Sequence, residues 1–317
     1  MSATTLWVLS KPGEKYLRLL DQLPATVKVI IGEEEALFLS APAPDVVFCG
    51  IGKGKLLRSL WPQVKDAKWL HSFTAGLESV LFPELVESSL PMSNAKGLYG
   101  RSLGEFAIAA ALFFAKDFRR MLRSQAAHEW DQFDVEELTG ATFGIIGYGG
   151  IGREAARRAL ALGMKVVAIK RHPDPVDGIE VLPPSGLHDM LPRCDYLMVS
   201  APNTPETKGM LGAEQIAMLK PNCVLINVGR GSVVDEDALI AALEQKRIKG
   251  AALDVFNVEP LPAGHAFYKL ENVLLSPHCA DHTATWLDDS MQFFIENLGR
   301  FQRGDKLENL VDKKLGY

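Results

Sequence analysis

The sequence predicts an α/β protein of two domains, one of them built on a doubly wound parallel sheet. Three observations carry that expectation. Strand-like and helix-like runs alternate regularly from Thr142 onward, which is the rhythm of an open parallel sheet with helices on both faces. The glycine-rich run Gly147-Tyr148-Gly149-Gly150-Ile151-Gly152 falls between an apolar strand and a helix. And 317 residues exceed what one hydrophobic core commonly organises, roughly 250–300 residues.

The first third shows short apolar runs between Pro and Gly punctuation. Residues 6–9, 27–31, 46–49 and 68–73 read as strands, and 14–20 and 55–61 as helices, giving a small α/β unit. Residues 103–123 read as one long helix rich in Ala, Leu and Phe, with Arg119, Arg120 and Arg123 placed to complement the negative end of its dipole. Its wide apolar circumference predicts burial between domains or subunits. Strands follow at 142–146, 165–169, 196–199, 223–226, 251–253 and 273–275, with helices at 151–162 and around Ala217 and Leu239. A last helix at 283–303 carries Leu287, Phe294, Leu298 and Phe301 at helical spacing and stops at Gly304.

Charge and cysteine usage narrow the function classes. A net charge of −5 offers no general attraction to polyanions, so a nucleic-acid partner is not expected. Cys49, Cys194, Cys223 and Cys279 lack metal-ligand spacing, which predicts no metal site and a reducing compartment. The start, Met1-Ser2-Ala3-Thr4-Thr5, lacks a charged leader region. The longest apolar run, residues 106–115, is about half of what a membrane helix needs. A cytoplasmic protein with no membrane partner is the expectation.

The glycine run fits GxGxxG in the setting that motif requires. Gly147 permits the tight turn, Gly149 lets the backbone approach a pyrophosphate, and Gly152 lets helix and strand pack closely; the helix N-terminus offers free N–H groups to phosphate. A glycine-rich turn without ligand is the plainer alternative. NAD-preferring domains place an acidic residue after the second strand to hold the ribose hydroxyls. Here Lys170-Arg171-His172 stands there, and Arg171 and Lys170 suit a 2′-phosphate, so NADP(H) is favoured over NAD(H). Both cations also suit an ordinary solvated surface.

Ligands of doubly wound sheets bind at the carboxyl ends of strands, where Arg230, Glu259 and His278 follow three successive predicted strands. Reduction of a 2-oxo acid needs a cation for the carboxylate and a proton donor for the carbonyl oxygen. Arg230 suits the first task, and His278, oriented by Glu259, the second. Taken singly, the His also fits a turn or core residue, the Arg a surface turn, and the Glu a loop end.

At these residues the chain resembles the D-isomer-specific 2-hydroxyacid dehydrogenase family, in particular its glyoxylate/hydroxypyruvate reductase-like members. The likeness runs through residues 144–152, Ala201-Pro202-Asn203-Thr204-Pro205-Glu206-Thr207, residues 227–235, 252–260 and 276–280, and more loosely through Thr74-Ala75-Gly76-Leu77, Leu103-Gly104-Glu105-Phe106 and 311–314. The resemblance implies Arg230, Glu259 and His278 as the catalytic set and Ala75 and Gly76 backbone N–H groups, with Arg230, as substrate ligands. It implies cofactor contacts along Gly147, Tyr148, Gly149, Gly150, Ile151 and Gly152, at Thr207 on the adenosine side, at Asp254 near the nicotinamide amide, and at Pro202, Val228, Gly229, His278 and Ala280, whereas Lys170-Arg171 departs from the family's acidic ribose ligand. It implies two Rossmann-like domains with a cleft between them: a substrate domain from residues 1–98 and 283–317 and a dinucleotide domain from 99–282. It also implies a homodimer, with the helix after Leu103 as crossover and contact element.

Leu77-Glu78 departs from the Val-Asp pair common in the family. Glu259 disfavours the formate dehydrogenase branch, where a Gln accompanies the His, and the absence of a C-terminal module disfavours the long, serine-regulated phosphoglycerate dehydrogenases. An NADPH-linked reductase of glyoxylate and hydroxypyruvate is thus expected. An NAD-linked D-lactate-type dehydrogenase and a nucleotide-sensing, corepressor-like binding protein without turnover are the alternatives. Cys279, beside His278, fits a packed small residue or a redox-sensitive thiol, and His71, Trp130 and Trp286 are candidates for the cleft or the subunit interface.

Overall fold

The computed structural model describes residues 3–316. Met1 and Ser2, on which the reading of the start partly rests, lie outside the described residues, as does Tyr317. The chain divides into two compact units, one of residues Met1–Leu98 and Ala284–Tyr317, the other of Tyr99–Thr283.

The first unit opens with β1 (Thr4–Leu9), β2 (Val27–Gly32), α1 (Glu35–Leu39), β3 (Val46–Cys49), α2 (Gly54–Ser59), α3 (Trp61–Val64), β4 (Trp69–Ser72), α4 (Pro83–Glu87) and β5 (Met92–Asn94). Residues 15–22, between β1 and β2, form a 3₁₀ helix where a helix is predicted over 14–20. The strands make a parallel sheet of order β2-β1-β3-β4-β5. Side chains alternate between its faces: Trp7, Leu9, Val47 and Leu70 enter one core, while Leu6, Val8, Phe48 and Trp69 enter the other. Both faces are covered, so these strands read as continuous apolar runs rather than alternating ones.

The second unit runs α5 (Gly100–Ala115), α6 (Phe118–Ala127), β6 (Thr142–Ile146), α7 (Gly150–Ala161), β7 (Lys165–Ile169), β8 (Ile179–Leu182), α8 (Leu187–Met190), β9 (Tyr196–Val199), α9 (Ala213–Ala217), β10 (Val224–Asn227), α10 (Glu236–Glu244), β11 (Gly250–Leu253) and β12 (Val273–Leu275). Its sheet is also all parallel, in the order β12-β11-β10-β9-β6-β7-β8. Sequence order reverses at the β6–β9 pair, the topological switch point where dinucleotides bind in such sheets. The chain then returns to the first unit in α11 (Trp286–Arg303), which lays Met291, Phe294 and Leu298 on the β1–β5 sheet and ends at left-handed Gly304 (φ 75°). No described helix is long and apolar enough to cross a membrane.

Two expectations are corrected. The single helix over 103–123 is two helices, broken at Asp117, which adopts a left-handed backbone (φ 47°) and caps α6 by accepting the Arg120 amide at 3.2 Å. Arg119 and Arg120 therefore sit in the first turn of α6, where the dipole does not favour them, and Arg123 at its middle. Asp131, Glu271 and the Val273 carbonyl receive them instead. The apolar face of α5 packs inside its own unit, against α7. A Cβ added at Gly104 would lie 3.0 Å from the Ala155 backbone nitrogen, so glycine sets that close approach.

Candidate active site

Beyond the sheet edge, three loops leave β10, β11 and β12 at one level, because Asn227 pairs with Leu253 and Leu253 with Leu275. Ladder bonds continue one residue past the strands: the Asp254 amide donates to the Asn227 carbonyl at 3.0 Å and the Ser276 amide to the Leu253 carbonyl at 2.9 Å. With neighbouring strands about 5 Å apart, the roots of the Arg230 and His278 loops stand roughly 10 Å from each other.

The loops after β10 and β12 are each clamped by a buried polar side chain. Asn227 Nδ2 donates to the Arg230 carbonyl (3.0 Å), and Asn227 Oδ1 accepts the Gly229 amide (3.1 Å). Gly231 lies against the next loop so closely that a Cβ there would sit 2.1 Å from the Phe256 carbonyl carbon. That contact seats the Arg230 turn on the segment leading to Glu259. Asp254 Oδ1 accepts the Ser276 hydroxyl (2.5 Å) and the amides of Cys279 (2.9 Å) and Ala280 (3.1 Å), which fastens the His278 loop from both sides. His278 itself has a positive φ of 52°, which turns its side chain out of the run of its neighbours.

His278 and Glu259 meet directly. Glu259 Oε1 accepts the Phe256 amide at 2.9 Å and Oε2 faces His278 Nδ1 at 2.6 Å. An ionised carboxylate only accepts, so Nδ1 carries hydrogen and Nε2 is the ring nitrogen left to exchange a proton. The His278 side chain stays 46% exposed, open to a reactant. Arg230 is half-buried, and one of its guanidinium nitrogens donates to the Gly229 carbonyl (2.7 Å).

The glycine run fits a dinucleotide. Gly147 has φ 98°, and a Cβ there would fall 2.6 Å from the Ala201 nitrogen, while one at Gly152 would fall 2.5 Å from the Gly147 carbonyl oxygen. Gly149 and Gly150, by contrast, face open space on the side a Cβ would fill. The first-turn amides of α7, on Gly150, Ile151 and Gly152, lie beyond the reach of its internal hydrogen bonds. The Tyr148 side chain is core, 4% exposed, so this residue can offer a cofactor only its main chain. Val228 is buried and its amide donates to the Val199 carbonyl. Thr207 Oγ1 donates to the Pro202 carbonyl (2.5 Å) and accepts the Thr204 amide (2.8 Å), closing that loop.

The two cations after β7 already have partners: Lys170 Nζ pairs with Asp174, and Arg171 lies 3.4 Å from Glu206. In the first unit, Asn94 Nδ2 donates to the Ala75 carbonyl (2.7 Å) and Thr74 Oγ1 to the Gly76 carbonyl (2.8 Å). Because the peptide is trans, the Gly76 N–H points opposite to the Ala75 carbonyl that Asn94 holds. Asn94, Asp174 and Glu206 carry no local sequence signature and were not anticipated. His71 lies wholly inside the first unit's core and Trp130 is 92% exposed.

Residues 108–280 match the family model for the D-isomer specific 2-hydroxyacid dehydrogenase NAD binding domain. A glyoxylate reductase from Thermococcus litoralis is 31% identical over 272 residues, 82% of this chain and 81% of that one. The chain belongs to the D-isomer specific 2-hydroxyacid dehydrogenase family. It is accordingly an NAD(P)-dependent oxidoreductase. Among other relatives of this dehydrogenase, a D-3-phosphoglycerate dehydrogenase from Methanocaldococcus jannaschii is 29% identical over 306 residues; the match takes in 94% of this chain but spans 57% of that relative's length. An NADPH-dependent glyoxylate/hydroxypyruvate reductase from Sinorhizobium meliloti, solved with NADP and sulfate, has 27% identity and a TM-score of 0.84 over 100% of both chains.

Proposed function

We propose that this dehydrogenase reduces small 2-oxo acids to D-2-hydroxy acids with NADPH, glyoxylate and hydroxypyruvate foremost. The observation that carries the reading is the 2.6 Å contact between His278 Nδ1 and Glu259 Oε2 on a loop that follows the strand next but one to Arg230's. In this reading Arg230 holds the substrate carboxylate and carbonyl oxygen through its planar fork. His278 delivers its Nε2 proton to that oxygen, and Glu259 fixes the ring and compensates its charge. The Ala75 and Gly76 amides bind the carboxylate. Bound NADPH supplies the hydride.

The α7 amides and the Gly147–Gly152 turn would hold the pyrophosphate, Pro202 and Thr207 the adenosine side, and Val228, Gly229, Asp254 and Ala280 the nicotinamide side. Lys170 and Arg171 would take the 2′-phosphate. An exposed Arg–Glu pair contributes little, so a dianionic phosphate displaces Glu206 from Arg171 at small cost. The NADP-bound Sinorhizobium relative supports the same preference. Exposed Phe118, Met121, Leu122 and Trp130 on and after α6 support a homodimer, and four unpaired thiols support a cytoplasmic setting.

Steady-state rates with NADPH and NADH against glyoxylate, hydroxypyruvate, pyruvate and bulkier 2-oxo acids test the reading. Arg171→Ala is expected to lower kcat/KM for NADPH by about tenfold, the scale of one charged hydrogen bond, and to leave the NADH value within twofold. Equal losses with both cofactors would remove the phosphate role. Faster NADH turnover in the wild type would favour the D-lactate-type alternative, and binding without any turnover the corepressor-like one.

A further inference from the structure

The loop that carries Glu259 is held from outside by a second carboxylate. Glu236 is the first residue of α10, directly after Asp235, which caps that helix by accepting the Ala238 amide at 3.0 Å. An acidic residue in a first helical turn usually faces solvent and merely complements the dipole. The Glu236 side chain is instead only 16% exposed. Its Oε1 accepts the Asn257 amide at 2.7 Å, and its Oε2 faces His265 Nε2 at 3.8 Å. The carboxylate thus lies between the two ends of the segment that contains Glu259.

Two successive amides of this loop are divided between two carboxylates. The Phe256 amide donates to Glu259 Oε1 and the Asn257 amide to Glu236 Oε1. The peptide that joins these two residues is also the one on which the Arg230 turn packs. A Cβ at Gly231 would lie 2.1 Å from the Phe256 carbonyl carbon, 2.4 Å from its oxygen and 2.5 Å from the Asn257 nitrogen. A planar peptide held on one face by packing and at its N–H by a short, charge-assisted bond has little freedom to tilt. Its rigidity passes to the adjoining Phe256 amide, which steadies Glu259, and so to the contact with His278 Nδ1.

We infer that Glu236 is a positioning residue for the reaction: by fixing the Asn257 amide it keeps Glu259 where it orients the His278 ring. The inference rests on the reductase reading, in which Glu259 fixes the ring and His278 delivers the proton. Glu236 bonds to main chain of the loop, and its action passes through Glu259. A displacement of about 1 Å in a reacting group can cost roughly 10²-fold in rate. Substrate binding by Arg230 stays in place, so the effect falls on kcat rather than KM.

Steady-state kinetics with NADPH and the best 2-oxo acid test this. Glu236→Ala is expected to lower kcat about 10- to 100-fold, with KM within about threefold. Glu236→Gln retains an oxygen that accepts the Asn257 amide and should stay within about threefold of wild type. In a Glu259→Ala background, removing Glu236 should cost less than about threefold, because the carboxylate it positions is gone. An equal loss in both backgrounds would mean that Glu236 serves the fold at large and overturns the role. So does a wild-type kcat in folded Glu236→Ala, a loss confined to KM, or a glutamine variant as damaged as the alanine one. Glu236→Met, of similar length but without an acceptor, decides the matter if the alanine variant does not fold. A wild type that turns over no 2-oxo acid removes the reductase reading and the inference together, whereas failure of the inference alone leaves wild-type turnover intact.

Discussion

His71 and His278 both belong to parallel sheets, one within β4 and the other just past β12, yet their surroundings fit them for opposite tasks. His71 is wholly buried among Phe48, Trp69, Phe293 and Phe294, with Nδ1 2.8 Å from the Ser93 hydroxyl, which also accepts the Trp69 indole N–H at 2.9 Å. Burial pushes its pKa down to about 3, so the ring stays neutral and acts as packing material with one polar edge. His278 sits past a strand end, half-exposed, with a carboxylate on one ring nitrogen. The residue type alone does not confer acid–base chemistry; access to solvent and a charged partner do.

The sharpest way to break that contrast is to remove each ring in turn. His278→Gln is expected to lower kcat by about 10²–10⁴, the ordinary contribution of a positioned acid. His71→Phe should leave kcat within about twofold, since a buried neutral ring surrounded by aromatics has no proton to deliver. Comparable losses in both variants, measured on folded protein, would mean that the distinction between packing and chemistry is wrongly placed.

Arg230→Lys sharpens the comparison at the catalytic edge. A lysine retains the charge but not the fork, so kcat/KM for the best 2-oxo acid should fall roughly 10- to 100-fold, the value of a charged hydrogen bond lost. The Asn227 clamp acts on main-chain atoms of this turn and remains in the variant, so the loss would report the guanidinium rather than a collapsed loop. An unchanged kcat/KM would show that His278 and Glu259 work without Arg230.

Much of this arrangement was legible in the sequence because the physics behind it is local. The strands at 46–49, 142–146, 165–169, 196–199 and 273–275 were read with the bounds they have, each being an apolar run between turn residues. Arg230, Glu259 and His278 stood out as polar residues just past such strands. What escaped depends on tertiary partners. Met92–Asn94 is too short and half polar to read as a strand, and Ile179–Leu182 pairs with β7 alone, at the sheet edge. Periodicity carried one helix through Lys116 and Asp117 because nothing in the apolar spacing marks a left-handed backbone. Glu206 reaches Arg171 from 35 residues along the chain, and Asp254 spends one oxygen on three donors of another loop, contacts that no spacing rule encodes.

The smallest effect at neutral pH concerns His71, and it separates the two histidines by a property other than rate. The unfolded chain titrates this ring near 6.5, the folded protein near 3. Between those values the unfolded state binds the extra proton, so the stabilisation conferred by the neutral ring is complete above pH 6.5 and declines as pH falls towards 3. One such group changes stability by at most about 1.4 kcal/mol per pH unit. Urea unfolding of wild type and His71→Phe at a series of pH values between 7 and 4 isolates that slope from the carboxylates common to both. The wild type should lose stability more steeply than the variant below pH 6.5, the two curves running parallel above it. Parallel curves throughout would mean that His71 accepts its proton without leaving the core, and that burial does not hold it neutral.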